Sequence, residues 1–188
     1  MKPIVLFASG RGSNVLAIID FFKEKNTAQV ALIVCNNPEA GVLDIAAKHH
    51  IPVLMIDRKS IKENDWINTI KSHKPAWIVL AGFLWKIPAS LIQEFENKII
   101  NLHPALLPAY GGKGMYGMKV HESVIAAQEK ESGVTVHFIN ENYDEGNIII
   151  QARCKIIETD TAASLAQKIH ALEHYFLPRT IEFLLQHS

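Results

Sequence analysis

The residues Ile4-Val5-Leu6-Phe7-Ala8 form a short apolar run that leads directly into Ser9-Gly10-Arg11-Gly12-Ser13-Asn14. An unbroken run of Ile, Val, Leu and Phe is typical of a strand that is buried on both faces, since a half-exposed strand alternates apolar and polar residues. The glycine-containing turn is followed by helical spacing over Val15–Lys25. The opening of the chain therefore predicts a strand, a tight loop and a helix, which is the start of a βαβ unit.

The same pattern recurs along the chain. Further apolar runs predict the strands Val30–Cys35, Val53–Ile56, Trp77–Ala81 and Ile99–Leu102. Helical spacing occupies the segments Gly41–His50, Ile61–Ser72, Pro88–Asn97 and Val120–Glu129. Strands that alternate with helices predict an α/β fold with one doubly wound, mostly parallel sheet and helices on both faces.

The last third of the chain departs from this alternation. Two extended runs, Val134–Ile139 and Ile148–Ile157, are joined only by Asn140–Asn147. Because a parallel crossover needs about a dozen residues or more, we expect these runs to form an antiparallel C-terminal strand pair. The final helix, Ala162–Leu185, contains Pro178, so we expect it to kink or break there.

Length and composition favour one globular domain over residues 1–188, with 48% hydrophobic and 20% charged residues. Lys and Arg total 19 and Asp and Glu total 19, and this balance argues against nucleic acid or an anionic membrane surface as a partner. The chain has no apolar run long enough to span a membrane and no signal-peptide pattern, so we expect a cytoplasmic protein. Cys35 and Cys154 adjoin apolar runs, which favours buried reduced thiols.

The loop at residues 9–14 follows the first strand, where ligands of doubly wound sheets bind. Free N–H groups at the start of the next helix suit a phosphate. A dinucleotide fingerprint would need glycine at Val15, and the second strand ends in Cys35-Asn36-Asn37 without an acidic residue, so NAD is disfavoured. The alternative is a plain tight turn with Ser13 or Asn14 as the helix cap.

The sequence Asn101-Leu102-His103-Pro104 ends the fifth predicted strand. Residues i and i+2 of an extended chain point to the same side, so Asn101 and His103 project together. An amide donor beside an imidazole suits a reaction in which a carbonyl oxygen becomes negative and a proton is moved. The alternative is a structural strand end in which His103 bonds to the backbone.

Other polar residues carry weaker signals. Asp144 lies in a glycine-containing turn, where an Asx-turn is common. Thr135 and His137 share one strand face, and we expect both to serve packing. His170 and His174 have a spacing that a metal site permits, but neither an HExxH motif nor a cysteine cluster accompanies them, so no metal is expected.

Four motifs and one later residue occur together in a fixed order. They are Ser9-Gly10-Arg11-Gly12-Ser13-Asn14, Leu80-Ala81-Gly82-Phe83, Asn101-Leu102-His103-Pro104-Ala105-Leu106-Leu107-Pro108, Gly133-Val134-Thr135-Val136-His137-Phe138 and then Asp144. Together they resemble the phosphoribosylglycinamide formyltransferase family, folate-dependent enzymes of purine biosynthesis. The resemblance runs from about residue 3 to about residue 180.

The resemblance implies transfer of a formyl group from 10-formyltetrahydrofolate, as co-substrate, to the primary amine of glycinamide ribonucleotide. Asn101 would hold the formyl oxygen, and His103 would stabilise or protonate the tetrahedral intermediate. Asp144 would orient His103 and help to move the proton. The substrate phosphate would lie on Gly12, Ser13 and Asn14, with Glu173 at the glycinamide end. The folate pocket would be lined by Leu84, Trp85, Lys86 and Ile87 together with Asn101, Asn140, Glu141, Asn142, Tyr143 and Asp144.

Some features depart from the family pattern. Leu84-Trp85-Lys86 replaces the more usual Met-Arg of the folate loop. A basic folate contact after the third strand has no clear counterpart, Lys62 being the nearest candidate. The glycine-rich segment 111–119 is either a lid over the site or a plain flexible loop.

Several alternatives stay open on the sequence alone. A related formyl transferase or a formyltetrahydrofolate hydrolase with another acceptor would share these residues. The hypothesis from another functional class is a non-catalytic module that binds folate or a nucleotide. The chain could act as a monomer or as a homodimer.

Overall fold

The computed structural model describes residues 1–63 and 65–187. The strands are β1 (Lys2–Ala8), β2 (Ala28–Cys35), β3 (Val53–Met55), β4 (Trp77–Leu80), β5 (Ile99–His103), β6 (Glu131–Phe138) and β7 (Ile148–Lys155). The helices are α1 (Ser13–Lys25), α2 (Val42–Lys48), α3 (Ser60–Glu63), α4 (Asp65–Ser72), α5 (Ala89–Glu94), α6 (Met118–Ala126) and α7 (Ala162–Gln186). No helix in the described ranges is both long and apolar enough to cross a membrane.

The strands form one seven-stranded sheet in the order β3-β2-β1-β4-β5-β6-β7. The five strands from β3 to β5 are parallel, whereas β6 pairs antiparallel with both β5 and β7. The predicted fold class, including the antiparallel C-terminal pair, is therefore confirmed. The order reverses between β1 and β4, so the loops after these strands lie at the switch point where ligands bind.

The central strand β1 is buried on both faces, as its continuous apolar run predicts. Its residues Ile4, Leu6 and Ala8 belong to a core that also contains residues of α1, α2, α6 and α7. Val5 and Phe7 belong to a second core on the opposite face, formed with α4 and α5. The helices therefore cover both faces of the sheet.

The structure corrects one prediction about helices. The helix α7 continues through Pro178, so of the predicted kink or break the break is wrong. Proline costs a helix about 3 kcal/mol, but buried residues on both sides of it, Leu177 and Ile181, hold α7 against the sheet. The predicted helix Ile61–Ser72 is described as α3 and α4 on either side of Asn64, and Asn64 itself lies outside the described residues.

The start of α7 has a reciprocal capping arrangement. The Thr161 hydroxyl accepts a hydrogen bond from the Ser164 backbone N–H at 3.2 Å, and the Ser164 hydroxyl accepts one from the Thr161 N–H at 3.0 Å. These bonds satisfy donors that the first helical turn would otherwise leave without a partner.

Replacing Thr161 by Ala should lower the free energy of unfolding by about 1 kcal/mol, because the cap is lost. Urea denaturation would measure the change. Thr159→Ala, at an exposed position just before the cap, is the matched control and should change stability by less than about 0.5 kcal/mol. Equal effects of the two substitutions would mean that the cap does not stabilise α7.

Candidate active site

The pairing of β5 with β6 gathers four polar side chains on one face of the sheet. Asn101 lies opposite His137, and His103 lies opposite Thr135. Residues that face each other across two strands point to the same side, as do alternate residues of one strand. The predicted pair of Asn101 and His103 therefore becomes a group of four.

His103 is held in one orientation by the backbone. The side chain is 3% exposed, and its Nε2 lies 2.8 Å from the carbonyl oxygen of Tyr110. A carbonyl can only accept, so Nε2 carries the hydrogen and Nδ1 of the neutral ring has a free lone pair. This Nδ1 lies 3.6 Å from Oδ2 of Asp144. A proton added to Nδ1 would therefore be placed beside a carboxylate.

The surroundings keep His103 mainly neutral. Burial lowers the pKa of His103 below its ordinary value, and the nearby His137 ring acts in the same direction. The Asp144 carboxylate and the Tyr110 carbonyl partly oppose this effect. A neutral imidazole beside a carboxylate is able to accept a proton, which is what a general base requires.

Asp144 reaches this group from the connection between β6 and β7, a contact that sequence spacing does not predict. Its Oδ2 accepts the N–H of Gly112 at 2.8 Å, and its Oδ1 lies 3.5 Å from Nδ2 of Asn101. Burial acts to raise the pKa of Asp144, but the His137 and His103 rings and the Gly112 N–H outweigh it and lower the pKa. Asp144 is therefore a carboxylate that is held on both oxygens.

His137 is the group that sequence reasoning assigned only to packing. It is fully buried, and its Nδ1 donates to the Phe138 carbonyl at 2.8 Å, so Nε2 is the acceptor. Nδ2 of Asn101 donates to this Nε2 at 3.1 Å, and Oδ1 of Asp144 lies 3.6 Å from it. His137 thus fixes the orientation of the Asn101 amide. The pairing register of β5 and β6 identifies His137 as part of the site, because it places this residue opposite Asn101. That register cannot be derived from the sequence alone.

A cleft of about 800 Å³ opens beside these residues. Most of the predicted binding residues line it: Gly12, Ser13, Asn14, Leu84, Trp85, Lys86, Ile87, Asn101, His103, Asn140, Asn142, Tyr143, Asp144 and Glu173. Glu141, the remaining predicted folate residue, is exposed and is not part of this lining. The segment from Gly112 to Met118 forms another wall, so the glycine-rich loop borders the site.

The loop at residues 9–14 places the N-terminus of α1 at the cleft. The N-cap of α1 is Gly12, in the left-handed conformation with φ 79°, and no side chain caps the helix. A Cβ at Gly12 would approach the side chain of Val42 to 2.9 Å, so this turn also requires glycine for space. The alternative in which Ser13 or Asn14 is the cap is wrong. The N–H groups of the first turn are not capped by a side chain, which is an arrangement that suits an anion.

Asn14 pairs with Glu173 across the cleft. Its Nδ2 donates to Oε2 of Glu173 at 2.9 Å, and its Oδ1 is buried with no partner among the residues that the structure describes. Burial raises the pKa of Glu173, while the Asn14 hydrogen bond and His170 partly oppose the shift. Asn14 and Glu173, two of the predicted substrate-binding residues, are thus hydrogen-bonded to each other, and Oδ1 of Asn14 accepts no hydrogen bond from the described residues.

The two predicted folate segments also meet. Nζ of Lys86 lies 5.5 Å from the ring centre of Tyr143, which joins the loop after β4 to the β6–β7 connection. The guanidinium of Arg58 lies 5.1 Å from the ring centre of Trp85. Arg58, which sequence analysis did not select, brings a positive charge from the connection after β3 to the edge of the cleft. Lys62 is exposed in α3.

His170 and His174 stack with ring centres 6.3 Å apart. His170 lines the cleft and His174 is exposed. Across residues 1–63 and 65–187, no group of three or more His, Cys, Asp or Glu side chains is arranged to hold a metal ion.

Comparison with known proteins agrees with this geometry. A family model described as formyl transferase matches residues 2–181. The chain belongs to the formyl transferase family. The resemblance that the four motifs indicate is thereby confirmed.

Relatives within the formyl transferase family share most of the chain. The phosphoribosylglycinamide formyltransferase of Bacillus subtilis (strain 168) is 40% identical over 191 residues, covering 98% of this chain and 95% of the relative. The chloroplastic enzyme of that name from Vigna unguiculata is 38% identical over 191 residues, and this chain spans only 61% of its length. The crystal structure of the Bacillus halodurans phosphoribosylglycinamide formyltransferase has a TM-score of 0.88 at 35% identity, with 98% of this chain and 95% of that chain covered.

A second histidine of the cleft has a strongly shifted pKa. His121 lies on α6 and is 3% exposed, and its Nδ1 is buried without a partner in the described part of the chain. Burial lowers its pKa from 6.5 to about 4, and the neighbouring His170 and His103 add to the shift. The folded protein therefore favours the neutral ring.

This shift predicts a pH-dependent loss of stability. The unfolded chain takes up a proton at His121 below pH 6.5, whereas the folded chain takes it up only near pH 4, so stability falls between these values. The contribution amounts to about 3 kcal/mol. Urea denaturation gives the free energy of unfolding at pH values of about 7.5 and about 4. Its decrease between these two pH values should be smaller for His121→Gln than for wild type. His187→Gln, at an exposed position, should lose as much as wild type, and equal losses in all three proteins would contradict the assignment.

Proposed function

We propose that this chain transfers the formyl group of 10-formyltetrahydrofolate to the primary amine of glycinamide ribonucleotide, in de novo purine biosynthesis. Residues 1–188 would act as one formyltransferase domain. The observation that carries the proposal is the meeting of Asn101, His103 and Asp144 beside a cleft large enough for two substrates. Relatives that bear the name of this activity extend over nearly the whole chain.

The first step is attack of the substrate amine on the formyl carbon. A carbon–nitrogen bond forms, and the electron pair of the formyl carbonyl moves to its oxygen. The Asn101 amide is placed to donate a hydrogen bond to this oxygen, once it releases Asp144 or His137. One preorganised donor to a developing oxyanion contributes about 3 kcal/mol or more to transition-state stabilisation.

The second step moves a proton from the attacking nitrogen to the leaving nitrogen. The electron pair on the formyl oxygen re-forms the carbonyl as the bond between the formyl carbon and N10 of the folate breaks. The electron pair of the broken bond stays on N10, which takes the proton. Nδ1 of His103 would take this proton, because it faces Asp144 and Nε2 is engaged by Tyr110. The charge that His103 gains on protonation is stabilised by Asp144, 3.6 Å away.

The remaining residues hold the two substrates in place. The phosphate of the ribonucleotide would bind Gly12, Ser13 and Asn14 at the start of α1, and Glu173 would receive the glycinamide end. The folate would lie between the segments 84–87 and 140–144, which Lys86 and Tyr143 connect. Arg58 is suited to the acidic tail of a folate because its guanidinium stacks on Trp85 at the cleft edge.

The assay that tests this proposal follows 10-formyltetrahydrofolate consumption with and without glycinamide ribonucleotide. Wild type should require the ribonucleotide, and His103→Ala should lower kcat by at least about 100-fold, because general acid–base catalysis is lost. His187→Ala, at an exposed position near the C-terminus, should retain wild-type turnover.

The other outcomes identify the alternatives. Consumption without the ribonucleotide would indicate a formyltetrahydrofolate hydrolase. Folate binding without consumption would indicate another acceptor or a non-catalytic module. Unchanged turnover in His103→Ala would contradict the role of this residue.

Substitutions of Arg58 and Lys62 test which of these two basic residues contacts the folate, with Lys62 as the control. Arg58→Gln should raise KM for 10-formyltetrahydrofolate about fivefold, because an exposed contact of this kind contributes about 1 kcal/mol. KM for glycinamide ribonucleotide should stay near its wild-type value. Lys62→Gln should leave both constants unchanged, and a larger effect at Lys62 than at Arg58 would reverse the assignment.

A further inference from the structure

A row of polar side chains crosses the antiparallel end of the sheet. His103 of β5 lies opposite Thr135 of β6, and Thr135 lies opposite Gln151 of β7. The row therefore leads from the cleft to the edge strand on one face of the sheet. Gln151 is half-buried and does not line the cleft.

The hydroxyl of Thr135 uses its full hydrogen-bonding capacity. It donates to the carbonyl of Ala105 at 2.7 Å and accepts from the N–H of Leu107 at 3.1 Å. It also accepts from Nε2 of Gln151 at 3.0 Å. A hydroxyl has one hydrogen and two lone pairs, so this arrangement has a single consistent assignment.

Gln151 completes the arrangement on the other side. Its Nε2 also donates to the carbonyl of Leu107 at 2.9 Å, so each of the two amide hydrogens has an acceptor. Both backbone polar groups of Leu107 are thus held by side chains of the sheet. Residues 104–110 form neither helix nor strand, so these side-chain bonds take the place of a backbone ladder.

This segment is packed directly on the sheet and closes onto His103. A Cβ at Gly133 would lie 2.6 Å from Cδ2 of Leu106 and 2.0 Å from the carbonyl oxygen of Ala152, so the close approach requires glycine. The segment ends at Tyr110, whose carbonyl accepts from Nε2 of His103. The position of that carbonyl therefore depends on how residues 104–108 are held.

We propose that Gln151 is a positioning residue for the formyl transfer described under Proposed function, on which this inference rests. Together with Thr135 it fixes the segment that carries the Tyr110 carbonyl. That carbonyl keeps the hydrogen of the His103 ring on Nε2 and leaves Nδ1 free for the transferred proton. Gln151 acts through these groups and contacts no substrate.

The test uses Gln151→Met, which keeps the length of the side chain and removes both hydrogen bonds. The expected result is a fall in kcat of about tenfold or more with both KM values within about twofold of wild type, since misplaced catalytic groups lower the rate more than binding. The nitrogen-15 NMR signals of the His103 ring should change from a single Nε2–H tautomer to a mixture of tautomers. Lys155→Met, at an exposed position of the same strand, is the control and should leave kcat and the tautomer as in wild type.

A second pair of variants covers the case in which Gln151→Met does not fold. Thr135→Val removes the shared hydroxyl and should reproduce the loss of kcat and the mixed tautomer, whereas Thr135→Ser keeps the hydroxyl and should restore both. A wild-type tautomer and wild-type kcat in Gln151→Met or in Thr135→Val would overturn the proposal. Because the tautomer is measured without substrate, a shift in a protein that transfers no formyl group would support the positioning role and contradict the proposed function.

Discussion

The register between β5 and β6 is the constraint on which the rest of the site depends. Ile100 of β5 lies opposite Phe138 of β6, and Leu102 lies opposite Val136. These alternate residues face a core that includes residues of α1 and α7. A slip of one residue would turn Val136 away from that core and bring His137 into it. Burial of apolar side chains on one face therefore fixes the polar group on the other. Hydrophobic packing on the opposite face of the sheet thus sets the geometry of the polar group.

Within that frame, backbone carbonyls decide which nitrogen of each imidazole is available. Tyr110 engages Nε2 of His103, and Phe138 engages Nδ1 of His137. Each ring consequently presents one defined basic nitrogen to Asp144 or Asn101. Burial keeps the pKa of His103 low, while the surrounding donors keep Asp144 ionised. The His103 ring is thus held ready to accept a proton, and the Asp144 carboxylate is held ready to stabilise the charge that results.

The sequence predicts the parts of this arrangement that depend on local rules. Continuous apolar runs identify strands buried on both faces, and the two-residue period places Asn101 beside His103. The contact of Asp144 with His103 joins residues far apart in the chain and depends on the β6–β7 connection, so no spacing predicts it. The role of His137 depends on strand register in the same way. Local rules also fail at Pro178, where packing of α7 against the sheet outweighs the helix-breaking tendency of proline.

The division of the sheet fits the two substrates of the proposed reaction. Its parallel half contributes loops at the switch point, which is a geometry suited to binding phosphate and a planar ring. Its antiparallel half contributes side chains on paired strands, whose positions are set more rigidly than those of loop residues. In the proposed reaction the primary amine is already a nucleophile, so the protein would need to supply orientation and one proton transfer, for which rigid placement matters most. The strand β5 belongs to both halves, because it pairs parallel with β4 and antiparallel with β6. The binding loops and the paired strands with the polar side chains therefore adjoin each other at β5.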